Sequence, residues 1–306
     1  RDAACDWSSD VCSSDLLDQW RNGASQSVCG DIDQSTRESR YDLEVQDTLS
    51  LSDSLRLVSG MNYRYDRADS DTYFNGTQND TTWRLFGQLE WRASEHWLLQ
   101  GGTMYEDTHL SGNSLTPRVA VNYLINPRHG LRAVYSEAIR SPDMFENNVN
   151  WSYRVTNLSS PAYGQNSGQY FVATRGPGNL DKELMKSREL GYNGFFADIG
   201  LNMDVKLFYD EITDMISSPL RNNQYIASNA NSSRFTGAES QFDWRMSNAD
   251  RLRLTYAYVD ASSSNPLDKA QTARNSGSAG WLREWGHGWS SALFYYRSEE
   301  HTSELQ

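Results

Sequence analysis

The feature that most constrains this chain is a strictly alternating run, a turn and a second alternating run, between Leu115 and Glu146. Val119, Val121, Tyr123 and Ile125 point one way, and Arg118, Ala120 and Asn122 point the other. A period of two is a strand with one apolar and one polar face. Asn126-Pro127-Arg128-His129-Gly130 breaks the pattern. Proline removes a ladder donor and glycine accepts positive φ, so this reads as a tight turn. Leu131, Ala133 and Tyr135 then resume one face, with Arg132, Ser136 and Ala138 near the other, until Ser141-Pro142 ends the strand.

The same period recurs along the chain. Strands are expected at about 40–51, 55–66, 81–93, 97–108, in the hairpin itself, then at 187–199, from 201, at 232–246, 251–261, 271–285 and from 289. That is roughly twelve strands of about ten residues, a length that spans a bilayer core when tilted by about 45°. Short turns such as Ser52-Asp53-Ser54 and Ser94-Glu95-His96 alternate with polar connections, including 66–80, 109–115 and 217–231. From Ser141 to about Lys186, roughly 45 residues show no sustained periodicity, which is unusual in a compact soluble domain but normal on the outside of a large barrel. The expected fold is all-β: part of an antiparallel transmembrane β-barrel with roughly twelve of its strands present. Val119, Val121, Tyr123, Leu201, Val205 and Leu207 are expected to face lipid, and Arg118, Asn122, Asp204 and Lys206 the lumen.

Composition agrees. Only 38% of the 306 residues are hydrophobic, yet there are 10 Trp, 17 Tyr and 10 Phe, as alternating strands with aromatic girdles require. No run approaches the roughly eighteen apolar residues of a membrane helix, which says nothing against a barrel. The formal net charge of −12 argues against nucleic acid as a partner, because phosphate binding needs a basic surface.

Residues 6–16 (DWSSDVCSSDL) and 297–306 (RSEEHTSELQ) each read as a translated sequencing-library adapter, and the two back-translate to reverse complements. Residues 1–16 and 297–306 are therefore set apart, and 17–296 is expected to be an internal piece of a barrel. Cys29 is then the only cysteine left, too few for an internal disulfide or a metal site.

Several stretches resemble the TonB-dependent outer-membrane receptors. In the hairpin the matching residues are Pro117, Arg118, Arg132, Ala133, Tyr135, Ala138, Arg140, Pro142, Phe145 and Glu146. After the long segment, NLDKELMKSRELGYNGFF matches the family pattern at Asn179, Leu180, Lys182, Glu183, Ser187, Glu189, Leu190 and Gly191, with Leu184 near where many members have proline. LNMDVKLFYDEITDMI, SRFTGAESQFDW and RLRLTYAYVDA continue the resemblance, which covers roughly 81–296. It implies a receptor in the outer membrane of a Gram-negative cell, in contact with outer-membrane lipid. It also implies active uptake of a scarce large solute, most often a ferric siderophore, driven through TonB by way of a plug and N-terminal region that this chain does not show.

The chemistry expected is binding, with no enzyme activity and no cofactor. His96, His109, His129 and His287 lack zinc spacing, and no nucleophile elbow occurs. Asp210, Glu211 and Asp214 carry oxygens that suit a hard cation, but their spacing fits no defined loop and reads as a solvated rim. Gly176-Pro177-Gly178 reads as a loop turn. The long segment combines aromatics with cations, and such side chains grip anionic, ring-bearing ligands. The substrate-binding candidates are Arg140, Trp151, Tyr153, Arg154, Tyr163, Tyr170 and Arg175. A passive outer-membrane channel and a soluble β-sandwich binding protein share parts of this pattern and stand as alternatives.

Overall fold

A computed structural model describes residues 8–11, 19–21, 24–26, 30–158, 161, 164–217, 227–265 and 272–299. Four short strands come first: β1 (Ser8–Val11), β2 (Gln19–Arg21), β3 (Ala24–Gln26) and β4 (Gly30–Asp33). Six long strands follow: β5 (Arg37–Ser52), β6 (Leu55–Ser70), β7 (Gly76–Arg92), β8 (Trp97–Thr108), β9 (Gly112–Asn126) and β10 (His129–Arg140). Next come a short helix, α1 (Met144–Asn148), and the strands β11 (Asn150–Thr156) and β12 (Gly168–Arg175). The chain then resumes long strands with β13 (Glu183–Phe196), β14 (Leu201–Ser217), β15 (Ser228–Arg245), β16 (Asp250–Ser263), β17 (Asn275–Gly286) and β18 (Trp289–Ser298).

Every expected strand has its counterpart, and all of them belong to one 12-stranded sheet that runs in chain order from β5 to β18, with β10 pairing directly to β13. The pairing is antiparallel throughout, and the hairpin register sets Ala133 opposite Val121 and Tyr135 opposite Val119. Among the described residues β5 and β18 do not pair, so the sheet is an arc of an unclosed barrel. A second, 4-stranded sheet joins β1, β4, β11 and β12 at the end opposite the tight turns.

The two faces of the large sheet invert the soluble pattern. Outward positions leave Leu43 65%, Leu85 62%, Leu190 62% and Leu207 55% exposed. Inward positions hold ion pairs: Arg84 to Glu106 at 2.7 Å, Arg132 to Glu189 at 2.7 Å and Lys206 to Glu239 at 2.8 Å. A soluble sandwich buries its apolar face between two sheets; here no second large sheet covers it among the described residues. Trp97 stacks near Tyr123 at 4.7 Å, and Trp244, Trp285 and Trp289 stand exposed beside the tight turns, as an interfacial girdle does. Val119 and Leu207 lie outward and Asp204 and Lys206 inward, as the alternation requires.

Three expectations need correction. The polar stretch 66–80 is mostly strand: β6 runs to Ser70, β7 starts at Gly76, and Asp69 pairs with Thr77. Above the apolar band both faces are polar, so the hydropathy period vanishes while the backbone ladder continues. For the same reason β9 starts at Gly112, and the connection after β8 shrinks to residues 109–111. The segment 141–186 is also not structureless, since it contains α1, β11 and β12. A helix of one turn has no period to read, β11 and β12 are too short to show one, and β11 also pairs with β4, far back in the sequence.

Candidate functional site

The outer end of the sheet is built around the departure of the chain from β10. Arg140, its last residue, lies directly opposite Glu183, the first residue of β13. Its guanidinium donates to both oxygens of Glu183 at 2.8 Å and to both oxygens of Glu146 at 3.0 Å. This fork geometry is specific to arginine. Glu146 is the third residue of α1 and completes a capping box: its amide donates to Asp143 at 2.7 Å, and its carboxylate accepts from the Asp143 amide. Glu183 also accepts from the Ile216 amide at 2.7 Å, which ties in the end of β14. Four chain segments thus meet at one cation.

Behind α1, Asn147 is buried, and its side-chain oxygen accepts from the Leu180 amide at 3.0 Å. The Gly176 and Gly178 amides donate to the carbonyls of Val149 and Asn147. The approach requires glycine, because a Cβ on Gly176 would lie 2.2 Å from the Asn147 oxygen. The Gly176-Pro177-Gly178 turn is therefore a docking turn, committed to protein carbonyls. Lys182, just beyond it, reaches inward to Glu106 on β8 at 3.1 Å and to Ser114 on β9.

β11 is held by the connection 71–75 as well as by β12. The Asn150 and Ser152 amides donate to the carbonyls of Tyr73 and Thr72. Asn75 adopts φ 53, donates to the Asn150 carbonyl, and accepts from Ser152 and Gln169. Tyr73 then stands 5.2 Å from Trp151 and 6.0 Å from Phe145, while Trp151 stands 5.7 Å from Tyr153, all with rings edge-on. Burial, with Tyr73 alongside, raises the Tyr153 hydroxyl above its ordinary pKa, so it stays a neutral donor.

Of the seven candidates named from sequence, Arg140, Trp151 and Tyr153 belong to this framework: the first is bound by two carboxylates and the other two are half-buried in the aromatic cluster. Arg154 and Arg175 lie near opposite ends of the β11–β12 ribbon, exposed, and without a carboxylate partner among the described residues. Tyr170 lies opposite Tyr153 in the register, with its side chain outside the described residues, as is the whole of Tyr163. Tyr73, Asn75 and the Glu106–Lys182 pair were not among the candidates; an aromatic pair, Tyr73-Phe74, inside a polar run was the one available signal. The acidic trio separates, with Glu211 turned to Arg234 at 3.3 Å and Asp214 held at φ 54. Among the described residues no group of three His, Cys, Asp or Glu could hold a metal ion.

An open-ended antiparallel sheet with an apolar outside, a charged inside and ordered loops at one end has the pattern of a transmembrane β-barrel wall. The model of the family described as TonB dependent receptor-like, beta-barrel matches residues 6–304, and the chain belongs to that family. No curated protein sequence matches it. Among solved structures it is similar to the siderophore receptor PirA from Pseudomonas aeruginosa, with 15% identity, a TM-score of 0.69 and coverage of 88% of this chain and 49% of that one. It is also similar to PirA from Acinetobacter baumannii, with 13% identity, a TM-score of 0.64 and coverage of 86% and 42%. The Serratia marcescens hemophore receptor HasR, solved with HasA and heme, shares 16% identity at a TM-score of 0.65, with coverage of 88% and 55%. These likenesses show the fold, and the chain spans about half or less of the length of the first two.

Proposed function

We propose that this chain supplies part of the wall and outer loops of an outer-membrane receptor that takes up a scarce large solute, with a ferric siderophore as the solute the site suits best. The observation that carries the reading is the pairing state of the outer cations. Arg140 is neutralised by Glu146 and Glu183, whereas Arg154 and Arg175 are exposed on the β11–β12 ribbon with no carboxylate partner among the described residues. Exposed, unpaired guanidinium groups suit an anionic ligand. A net charge of −12 supplies no general attraction for anions, so an anion would be held by these groups locally. The receptors PirA and PfeA, similar in fold, are described as siderophore and ferric enterobactin receptors.

In this reading the parent protein contacts TonB through a region N-terminal to the chain, and residues 1–16 and 297–306 are foreign to it. The test is to sequence the intact gene upstream of Leu17, then express it in a Gram-negative strain stripped of its own siderophore receptors. Growth on a ferric siderophore under iron limitation, lost on deletion of TonB, is the expected result. Solute entry that persists without TonB would establish the passive channel instead.

A further inference from the structure

The outward face of the sheet carries a feature that solute uptake does not use. Three rows of the ladder cross it near the loop end. In the row closest to the membrane centre, Ala133 lies between Val121 and Leu190, and Leu190 faces Leu207. In the next row Tyr135 faces Arg188, which faces Tyr209. In the outermost row Glu137 faces Lys186, then Glu211, then Arg234. The small Ala133 side chain leaves a groove of about 490 Å³ bounded by Val119, Leu190, Leu207 and, at its outer mouth, Tyr135, Arg188 and Tyr209.

The charges at that mouth are unequal. Glu137 accepts from the Tyr135 hydroxyl, and Glu211 is paired with Arg234 at 3.3 Å. Arg188 and Arg234 approach the Tyr209 ring at 5.4 and 5.7 Å. Arg188 and Lys186 have no carboxylate within ion-pair distance among the described residues. Two cations outside any ion pair among the described residues, one of them resting on the Tyr209 ring, therefore sit above an apolar groove on the outward face.

We propose that this groove binds one phosphorylated acyl lipid of the outer leaflet, with an acyl chain laid along Ala133 between Leu190 and Val121 and the phosphate on Arg188, with Lys186 beside it. An apolar slot topped by unpaired cations is complementary to an anionic amphiphile. Tyr135 and Tyr209 fit the same level, because a phenol sits where apolar and polar regions meet. The inference rests on the outer-membrane reading above but is independent of the solute.

The test places the intact receptor in phosphatidylcholine nanodiscs carrying either spin-labelled phosphatidic acid or spin-labelled phosphatidylcholine and reads the immobilised fraction. The expected result is a preference for the phosphatidic acid probe of up to roughly thirtyfold, from two cations at the membrane surface. Lys186→Gln/Arg188→Gln should abolish the preference, Lys186→Arg/Arg188→Lys should keep it, and Ala133→Leu should reduce immobilisation of the acidic probe by filling the slot. Equal immobilisation of the two probes by the unaltered receptor would overturn the inference without any variant, as would displacement of the lipid by inorganic phosphate alone. Failure of the receptor to enter neutral nanodiscs at all would instead overturn the membrane reading.

Discussion

Lys182 and Glu106 form an ion pair of 3.1 Å in which the side chains are only 7% and 5% exposed. The lysine lies just before β13 and the glutamate on β8, so the pair pins the end of the outer segment to the inside of the wall. Arg84 at 2.7 Å and Ser141 at 2.7 Å share the same carboxylate. Removing one partner of a buried pair leaves a charge without compensation. Lys182→Met should cost up to about 3 kcal/mol, moderated because Arg84 remains. Limited proteolysis should cut the segment 141–182 faster in the variant, and an unchanged rate would show that the pair does not hold it.

Arg140 and the ribbon arginines should separate in their effects. Arg140→Lys keeps the charge but loses the fork onto Glu146 and Glu183. It should expose the outer segment to protease with or without ligand. Arg154→Gln and Arg175→Gln should leave protease resistance unchanged and lower ligand affinity by roughly tenfold each, as expected for charge-assisted contacts worth about 1.5 kcal/mol. Titration of a ferric siderophore against each variant measures this.

The two faces of β14 should tolerate charge differently. Val205→Arg places a cation toward lipid and should cost roughly 2–4 kcal/mol near the bilayer centre. Lys206→Glu loses only the pair with Glu239 on the wet side. Heat-modifiable mobility after refolding into lipid should fall sharply for the first and little for the second; equal effects would mean that the faces are reversed.

Gly176→Ala should loosen the docking turn. The new Cβ would meet the Asn147 carbonyl at 2.2 Å, and overpacking of this kind costs roughly 1–3 kcal/mol. Hydrogen exchange at the Gly176 and Gly178 amides should speed up in the variant, while the amides of β13 should not change.

The long strands were legible because each residue's environment alternates along the chain. Leu201, Met203, Val205 and Leu207 against Asn202, Asp204 and Lys206 leave no other regular structure open. The hairpin at Pro127 was legible for a different reason, since proline and glycine restrict the backbone locally. Where both faces are wet the signal stops, and so Asp66 to Asp80 read as a loop although the ladder passes through it.

The candidate site was legible only as composition. The chain shows that Arg140, Arg154 and Arg175 lie among aromatics, but nothing local distinguishes the first from the others. Glu183 stands 43 positions from Arg140 and neutralises it; Arg154 and Arg175 meet no such partner among the described residues. Likewise Tyr73 joins Trp151 across a gap that no short-range pattern reports.

By itself, then, the sequence determined the class of fold, the approximate number of strands and which side of each strand is apolar, because those depend on neighbours one or two residues away. Tertiary structure alone decided which charges neutralise each other and which stay unpaired. Ion pairing depends on distances of 3 to 4 Å between side chains, and register across the sheet, rather than separation along the chain, sets those distances.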